Sequence, residues 1–293
     1  MITNTLLLIG GDLCVRTARE LNASTWRCVG LRRRQMPDTC GPLRWVQGDL
    51  TDCSSLATAL ATAPDISHIL YAPAPEARTR EAYAAAYPQG LQTLLAALPA
   101  PRHLQRLVLV DSTAMWGSSA SWVDERTPPH PEDFRGEFML KAEATAQAQL
   151  PGARFPQASG VALRLSGLYG PGRLRLVDSL RAGRLSAPGG PDHWANRIHV
   201  DDAARACVHL LQLNQPDACY IGTDDTPLET ATLYDAFAAL VQAPRPDRRS
   251  QPPNGKRLSN QRLRQSGWAP QWPDTIVGYT HCIAESEAAK HPV

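Results

Sequence analysis

Apolar residues in this chain fall into short runs that alternate with stretches of helical spacing. Leu6-Leu7-Leu8-Ile9 has the length of a buried parallel strand and is too short to span a membrane. It breaks at Gly10-Gly11, after which Leu13, Ala18 and Leu21 recur at helical spacing while Arg16, Arg19 and Glu20 take the other face, with Asp12 or its neighbours to cap the start. The same reading predicts strands over 26–31, 43–46, 66–71, 107–110, 161–165 and 218–221. Helices are predicted over 54–63, capped by Asp52, over 203–211, capped by Asp201, and over 232–241. The alanine-rich stretch 80–98 is also helical but interrupted by Pro88, which suits a first turn better than a helix interior. The βαβα alternation implies a parallel sheet with helices on both faces and a ligand beyond the C-terminal strand ends.

Strand, glycine turn and helix open dinucleotide-binding domains, because glycine lets the backbone approach a pyrophosphate seated on the helix N-terminus. Here G-x-G-x-x-G laid over 9–14 finds only its middle glycine, Gly11, with Ile9 and Cys14 in the outer places; otherwise one residue has been lost between Gly10 and Gly11. Taken alone, the turn reads equally as a cofactor cradle or a plain tight turn. The second strand runs into Arg32-Arg33-Arg34, with no acid at the place where a carboxylate would bond the ribose 2′-hydroxyl. Arginines there accommodate a 2′-phosphate; the alternative is a solvated basic turn.

Composition narrows the classes. The 293 residues, 43% of them hydrophobic, suffice for one large α/β domain or two lobes. A net charge of +2, from 30 basic and 28 acidic residues, argues against nucleic-acid and membrane-surface partners. With no basic N-terminal region and no apolar stretch of ~20 residues, a cytoplasmic protein is expected. The seven cysteines, at 14, 28, 40, 53, 207, 219 and 282, are odd in number and never spaced C-x-x-C, as for buried apolar residues or loose thiols rather than disulfides or zinc ligands. The 25 prolines gather between elements, marking loops and lobe edges.

Further segments resemble those of the extended short-chain dehydrogenase/reductases, the NAD-dependent epimerase/dehydratase family. They are Gly48-Asp49-Leu50-Thr51-Asp52, Ser112-Thr113 with Trp116-Gly117, and Val123-Asp124-Glu125-Arg126-Thr127-Pro128. Ala162-Leu163-Arg164-Leu165-Ser166-Gly167-Leu168-Tyr169-Gly170-Pro171-Gly172-Arg173, Arg197-Ile198-His199-Val200-Asp201-Asp202-Ala203 and Cys219-Tyr220-Ile221-Gly222-Thr223-Asp224-Asp225 follow, and Lys256-Arg257-Leu258-Ser259-Asn260-Gln261-Arg262-Leu263 closes the series. The resemblance implies a Rossmann-like doubly wound parallel sheet over 1–166, with 196–222 returning to it, and a smaller substrate lobe from 167–195 and 223–293. It implies NADP, or NAD, held by Gly10, Gly11, Asp12, Leu13, Arg32, Arg33, Asp49, Leu50, Ala72 and Lys141. It also implies a small-molecule substrate and a homodimer formed through the helix bearing Lys141.

For catalysis the resemblance implies a Ser/Thr at the end of the fifth strand and a Tyr-x-x-x-Lys pair on the next helix. Ser112, Thr113 and Lys141 match; at the tyrosine place stands Glu137. A glutamate of ordinary pKa, ~4.3 against ~10 for tyrosine, serves as a general base and has no proton to give. Reduction would then need another donor, such as Tyr169, His193 or His199. The plain alternative is a surface Glu137–Lys141 helix pair contributing ~0.3 kcal/mol. His193 to Arg197 read as a pocket wall or an exposed loop, Arg173 and Arg175 as phosphate partners or a solvated loop, and Asp111 as a strand end bonding nearby backbone. Two functions follow from these residues: an NADP-dependent oxidoreductase or epimerase-like enzyme, and a sensor or scaffold that keeps the cofactor pocket without the redox chemistry.

Overall fold

The computed structural model describes residues 4–34, 43–63, 65–119 and 121–289. The apolar runs become the strands β1 (Asn4–Gly10), β2 (Trp26–Arg32), β3 (Arg44–Gln47), β4 (His68–Ala72) and β5 (Arg106–Ser112), joined by the strands Ser159–Leu165 and Cys219–Gly222. Together they form one seven-stranded sheet of a Rossmann-like α/β fold, ordered Cys219–Gly222, Ser159–Leu165, β5, β4, β1, β2, β3. β1 pairs in parallel with both β2 and β4, so the connections diverge on either side of it; ligands of such sheets bind at this switch point. Leu6, Leu7, Leu8, Ile69, Leu70 and Val108 are buried in the centre, and a leucine of this kind contributes about 1.5–3 kcal/mol.

The helices follow the periodicity with two corrections. α1 (Asp12–Glu20) has Gly11 at its N-cap, and α2 (Cys53–Ala61) is capped by Asp52, whose carboxylate accepts the Ser54 and Ser55 N–H groups as expected. Pro88, expected to interrupt its helix, lies inside it: α3 (Arg80–Ala84) runs through a π turn, Ala85–Gln89, into α4 (Gly90–Ala97). The wider turn accommodates a residue that cannot donate to the carbonyl four places back. The Tyr71 hydroxyl donates to the Ala86 carbonyl at 2.6 Å within that turn. The second correction concerns Asp201. The helix Val200–Gln212 begins ahead of it, so Asp201 sits in the first turn, where its charge still favours the positive helix end.

The described residues divide into two compact units, within Met1–Trp116, His130–Arg164 and Ala204–Tyr220, and within Gly117–Pro129, Leu165–Ala203 and Ile221–Val293. Segments 117–129 and 196–203 therefore group with the second unit. That unit has its own core, in which Tyr169 stacks on Tyr279 with ring centres 4.3 Å apart, beside Val177, Leu180, Leu233 and Phe237. Its strand Trp122–Val123 pairs with Arg257–Leu258. Among the described residues no helix is long and apolar enough to cross a membrane, and the six described cysteines are free; Cys40 lies outside the described residues.

Candidate functional site

At the switch point of the first unit the C-terminal ends of β1, β2 and β4 enclose a cavity of about 410 Å³. Register sets its floor, because Gly10 of β1 is level with Ala72 of β4, and Ile9 with Leu31 of β2. Gly10 is obligatory: its φ is +149°, and a Cβ there would lie 2.4 Å from the Ala72 carbonyl oxygen and 3.0 Å from the Cys14 sulfur. Cys14, in the last glycine place of the fingerprint, is buried beneath the turn instead of facing the cavity. A Cβ on Gly11 would meet nothing within 4 Å, so the turn is open on its cavity side. No side chain caps α1; of its first-turn amides that of Cys14 donates to the Gly11 carbonyl at 3.1 Å, so an anionic group at this helix N-terminus would be met by the amides of Asp12 and Leu13. These features fit a diphosphate. Asp12 and Leu13 do not wall the cavity with their side chains: Asp12 pairs with Arg16 at 3.0 Å, and Leu13 is buried. Their contribution to an anion would be backbone N–H.

The end of β2 supplies Arg32, Arg33 and Arg34 to the wall. The Arg32 guanidinium lies 5.1 Å from the ring centre of Trp45 on β3, an arrangement that holds a cation without neutralising it. Arg33 forms an ion pair with Glu76. Sequence reading found no acid here, and Glu76 is the residue it missed: it arrives from the proline-flanked loop after β4, 43 positions downstream, and no local signal ties it to β2. Opposite, Asp49 and Leu50 line the cavity. The Asp49 carboxylate accepts the Thr51 N–H at 2.9 Å and its hydroxyl at 2.8 Å, and the amide bond above all holds its pKa below the usual range. Ala82, Ala85 and Ala86 close the remaining side from α3 and the π turn, small residues that leave room for a ligand.

Ser112 ends β5, its hydroxyl accepting the Ala114 N–H at 3.2 Å; Thr113, which begins the following 3-10 turn, is buried. Helix α5 (Phe134–Gln149) approaches this turn at Gly136, where a Cβ would stand 3.0 Å from Met115 Cα and 3.2 Å from the Ala114 carbonyl oxygen. The close approach sets Glu137 and Lys141 on a helix packed against the Ser112–Thr113 segment. Glu137 pairs with Arg80 of α3 at 2.9 Å, both half-exposed, and among the described residues no ion pair joins it to Lys141. The helix pair expected from spacing is therefore not formed. The Lys141 ammonium lies 5.1 Å from the ring centre of Phe138 and is exposed. Lys141, Ser112 and Ala72 are not part of the cavity wall.

The other donors weighed in the sequence lie in the second unit. Tyr169 is fully buried, and burial drives its phenol far above the ordinary range. His199 Nδ1 accepts the Asp201 N–H at 3.2 Å, which leaves Nε2 to carry the proton toward Cys282 Sγ at 3.4 Å. His193 is buried, so the loop from His193 is not an exposed one at that residue. Asp111 departs from expectation as well: it is 6% exposed, and among the described residues no backbone N–H donates to either carboxylate oxygen, which face the Glu143 carboxyl group instead.

Known proteins share this pattern. Protein YeeZ of Escherichia coli strain K12 is 31% identical over 196 residues, 65% of this chain and 67% of that protein. A solved protein of Methylobacillus flagellatus, described as an NAD-dependent epimerase/dehydratase, is 32% identical with a TM-score of 0.77, over 98% of this chain and 100% of its own. MoeE5, solved with UDP-glucose and NAD, shares the fold at a TM-score of 0.80 and 21% identity, over 98% and 100% of the two chains. The model of the NAD dependent epimerase/dehydratase family matches residues 9–222, which takes in the glycine turn, the arginine-ended β2 and the helix of Lys141 alike. With three quarters of its length inside that match, the chain belongs to the NAD-dependent epimerase/dehydratase family.

Proposed function

We propose that this protein binds a nicotinamide dinucleotide in the β1–β2–β4 cavity, prefers the 2′-phosphorylated form, and acts on a small substrate bearing a hydroxyl or carbonyl group. The observation that carries the proposal is the turn at Gly10–Gly11, sterically closed toward Ala72 and open toward the cavity, above uncapped α1 amides. Arg32 and Arg34 beside the Arg33–Glu76 pair support the preference, since arginine matches a phosphate dianion and the two lining carboxylates, Glu76 and Asp49, both bear on Arg33. MoeE5 is solved with NAD in the same fold. When bound, such a cofactor supplies hydride acceptance or donation. The chain's own residues then have limited tasks. The first unit holds the dinucleotide; Ser112 orients a substrate oxygen by hydrogen bonding; Lys141 supplies a cation; and the second unit sets substrate choice. Glu137 accepts hydrogen bonds and, ion-paired with Arg80, offers none.

That pairing also favours a second reading, a sensor that keeps the pocket and has lost the chemistry. Steady-state turnover of NADPH with a panel of carbonyl compounds and sugar nucleotides, for the native chain and Glu137→Tyr, separates the two. Native turnover that the substitution abolishes supports an enzyme using Glu137. Turnover gained only in Glu137→Tyr supports the sensor.

A further inference from the structure

A buried trio outside the cavity is not used by this account. Glu143 of α5 and Arg164 of the strand Ser159–Leu165 form a two-pronged ion pair, Nε to Oε1 at 2.8 Å and Nη2 to Oε2 at 2.7 Å, with both side chains no more than 7% exposed. The Arg164 guanidinium also lies 4.6 Å from the ring centre of Trp116. Asp111, the last residue of β5 before Ser112, is buried with no N–H or O–H donor to either oxygen among the described residues, and its carboxyl group lies within hydrogen-bonding reach of that of Glu143. The remaining titratable neighbours are the Tyr87 phenol from the π turn and the Cys219 thiol near Arg164, neither of them cationic. One guanidinium therefore faces two buried carboxyl groups, and Glu143 engages both of its prongs. Two acceptor-only carboxylates cannot bond each other; a proton between them supplies the missing donor.

We propose that Asp111 and Glu143 share one proton, and that the neutral Asp111 carboxyl, by donating to Glu143, acts as a positioning residue that ties the end of β5 to α5. Its position gives the tie a consequence. Asp111 is bonded in sequence to Ser112, and Glu143 stands two residues past Lys141, so the contact fixes the strand that carries one site residue against the helix that carries the other. Burial, reinforced by the Glu143 charge, raises the Asp111 carboxyl well above the ordinary carboxylate range, with Arg164 pulling the other way. The site roles of Ser112 and Lys141 rest on the function proposed above; the shared proton does not.

Infrared difference spectra of the native chain labelled with carboxyl-¹³C aspartate test the proton directly, with Asp111→Asn as the reference. At neutral pH the buried Asp224 carboxyl also keeps its proton, so the expected result is an isotope-sensitive band of a protonated carboxyl group besides that of Asp224, and Asp111→Asn lacks it. Hydrogen exchange tests the tie: α5 amides of Asp111→Ala are expected to exchange about tenfold faster than native, whereas Asp111→Asn, whose amide can still donate, stays within about twofold. Absence in the native protein of any such band beyond that of Asp224 overturns the proposal, and Asp224→Asn identifies the Asp224 band where Asp111→Asn does not fold. So does an α5 that is as protected in Asp111→Ala as in the native chain, or as exposed in Asp111→Asn as in Asp111→Ala. Neither readout involves a dinucleotide, so a failure to bind NADPH leaves this inference standing, and its own failure leaves the cavity reading untouched.

Discussion

One methyl group added at each of two adjacent glycines separates folding from binding at the β1–α1 turn. In Gly10→Ala the new Cβ would stand 2.4 Å from the Ala72 carbonyl oxygen, on a backbone whose φ of +149° side chains rarely adopt. The conformation alone costs about 1–3 kcal/mol, and relieving the overlap means displacing β4 from β1, so a total of about 3 kcal/mol or more is expected. At about 2–4 °C per kcal/mol for a chain of this size, the melting temperature falls by about 6–12 °C. Gly11→Ala differs because its Cβ meets nothing within 4 Å. Stability should fall by about 1 kcal/mol, since alanine is a poor N-cap where glycine is an acceptable one. Gly11 does, however, line the cavity, so the added methyl group takes up room beside the turn where a diphosphate would rest. A tenfold loss of dinucleotide affinity, about 1.4 kcal/mol, is the smallest effect the geometry allows. Thermal unfolding and calorimetric titration with NADPH, run on both variants, give a two-by-two result. A Gly11→Ala protein that binds NADPH as well as the native chain would refute the assignment of the turn, and an unchanged melting temperature for Gly10→Ala would refute the steric argument.

Other expectations are narrower. Arg34→Ser should weaken NADPH about tenfold and NADH less than about twofold in parallel titrations, the loss of one charge-assisted contact to a 2′-phosphate; equal losses for both would remove that contact from the account. Glu137→Gln should shift the unfolding free energy by less than about 1 kcal/mol, because the Arg80 pair it breaks is half-exposed; a larger shift in denaturant unfolding would show that the pair holds α3 to α5. In the second unit Asp224 is 1% exposed, and burial raises its carboxyl from 3.8 to about 8. The folded state thus keeps a proton that the unfolded chain releases near 3.8, so its contribution to stability declines as pH rises from there to about 8 and levels off above it. Asp49, Asp124 and Asp133, held below the usual range, contribute with the opposite sign, so the test is the difference: the melting temperature of the native chain relative to Asp224→Asn should fall as pH rises across this range, and a difference that is flat or rises would show the burial argument to be wrong.

Strand and helix positions were legible where one segment's own pattern decides them. Leu6 to Ile9 could only be a buried strand, and Asp52 before a helical stretch signals its own cap, which Ser54 and Ser55 confirm by donating to it. Pro88 was misread because propensity penalises proline in a regular helix, whereas a π turn bonded by Tyr71 from β4 takes it in; that rescue is tertiary. Within the site, the glycines and arginines could be located from sequence, but Glu76 and the Asp111–Glu143–Arg164 trio could not. Each depends on strands and helices tens of residues apart meeting at one level, a matter of sheet register that periodicity does not encode. The eroded fingerprint illustrates the same limit: only the packing of Cys14 under Gly10 explains how the turn keeps its shape without a third glycine.

The central claim is that the β1–β2–β4 cavity receives a phosphorylated dinucleotide. Isothermal titration of the native protein with NADPH, and separately with NADH, at one moderate salt concentration addresses it without any substitution. The account predicts saturable one-to-one binding with NADPH the tighter ligand by about tenfold or more, the contribution of one well-paired phosphate. No heat with either nucleotide would contradict it outright, and tighter binding of NADH would show that Glu76, rather than the arginines, meets the ribose.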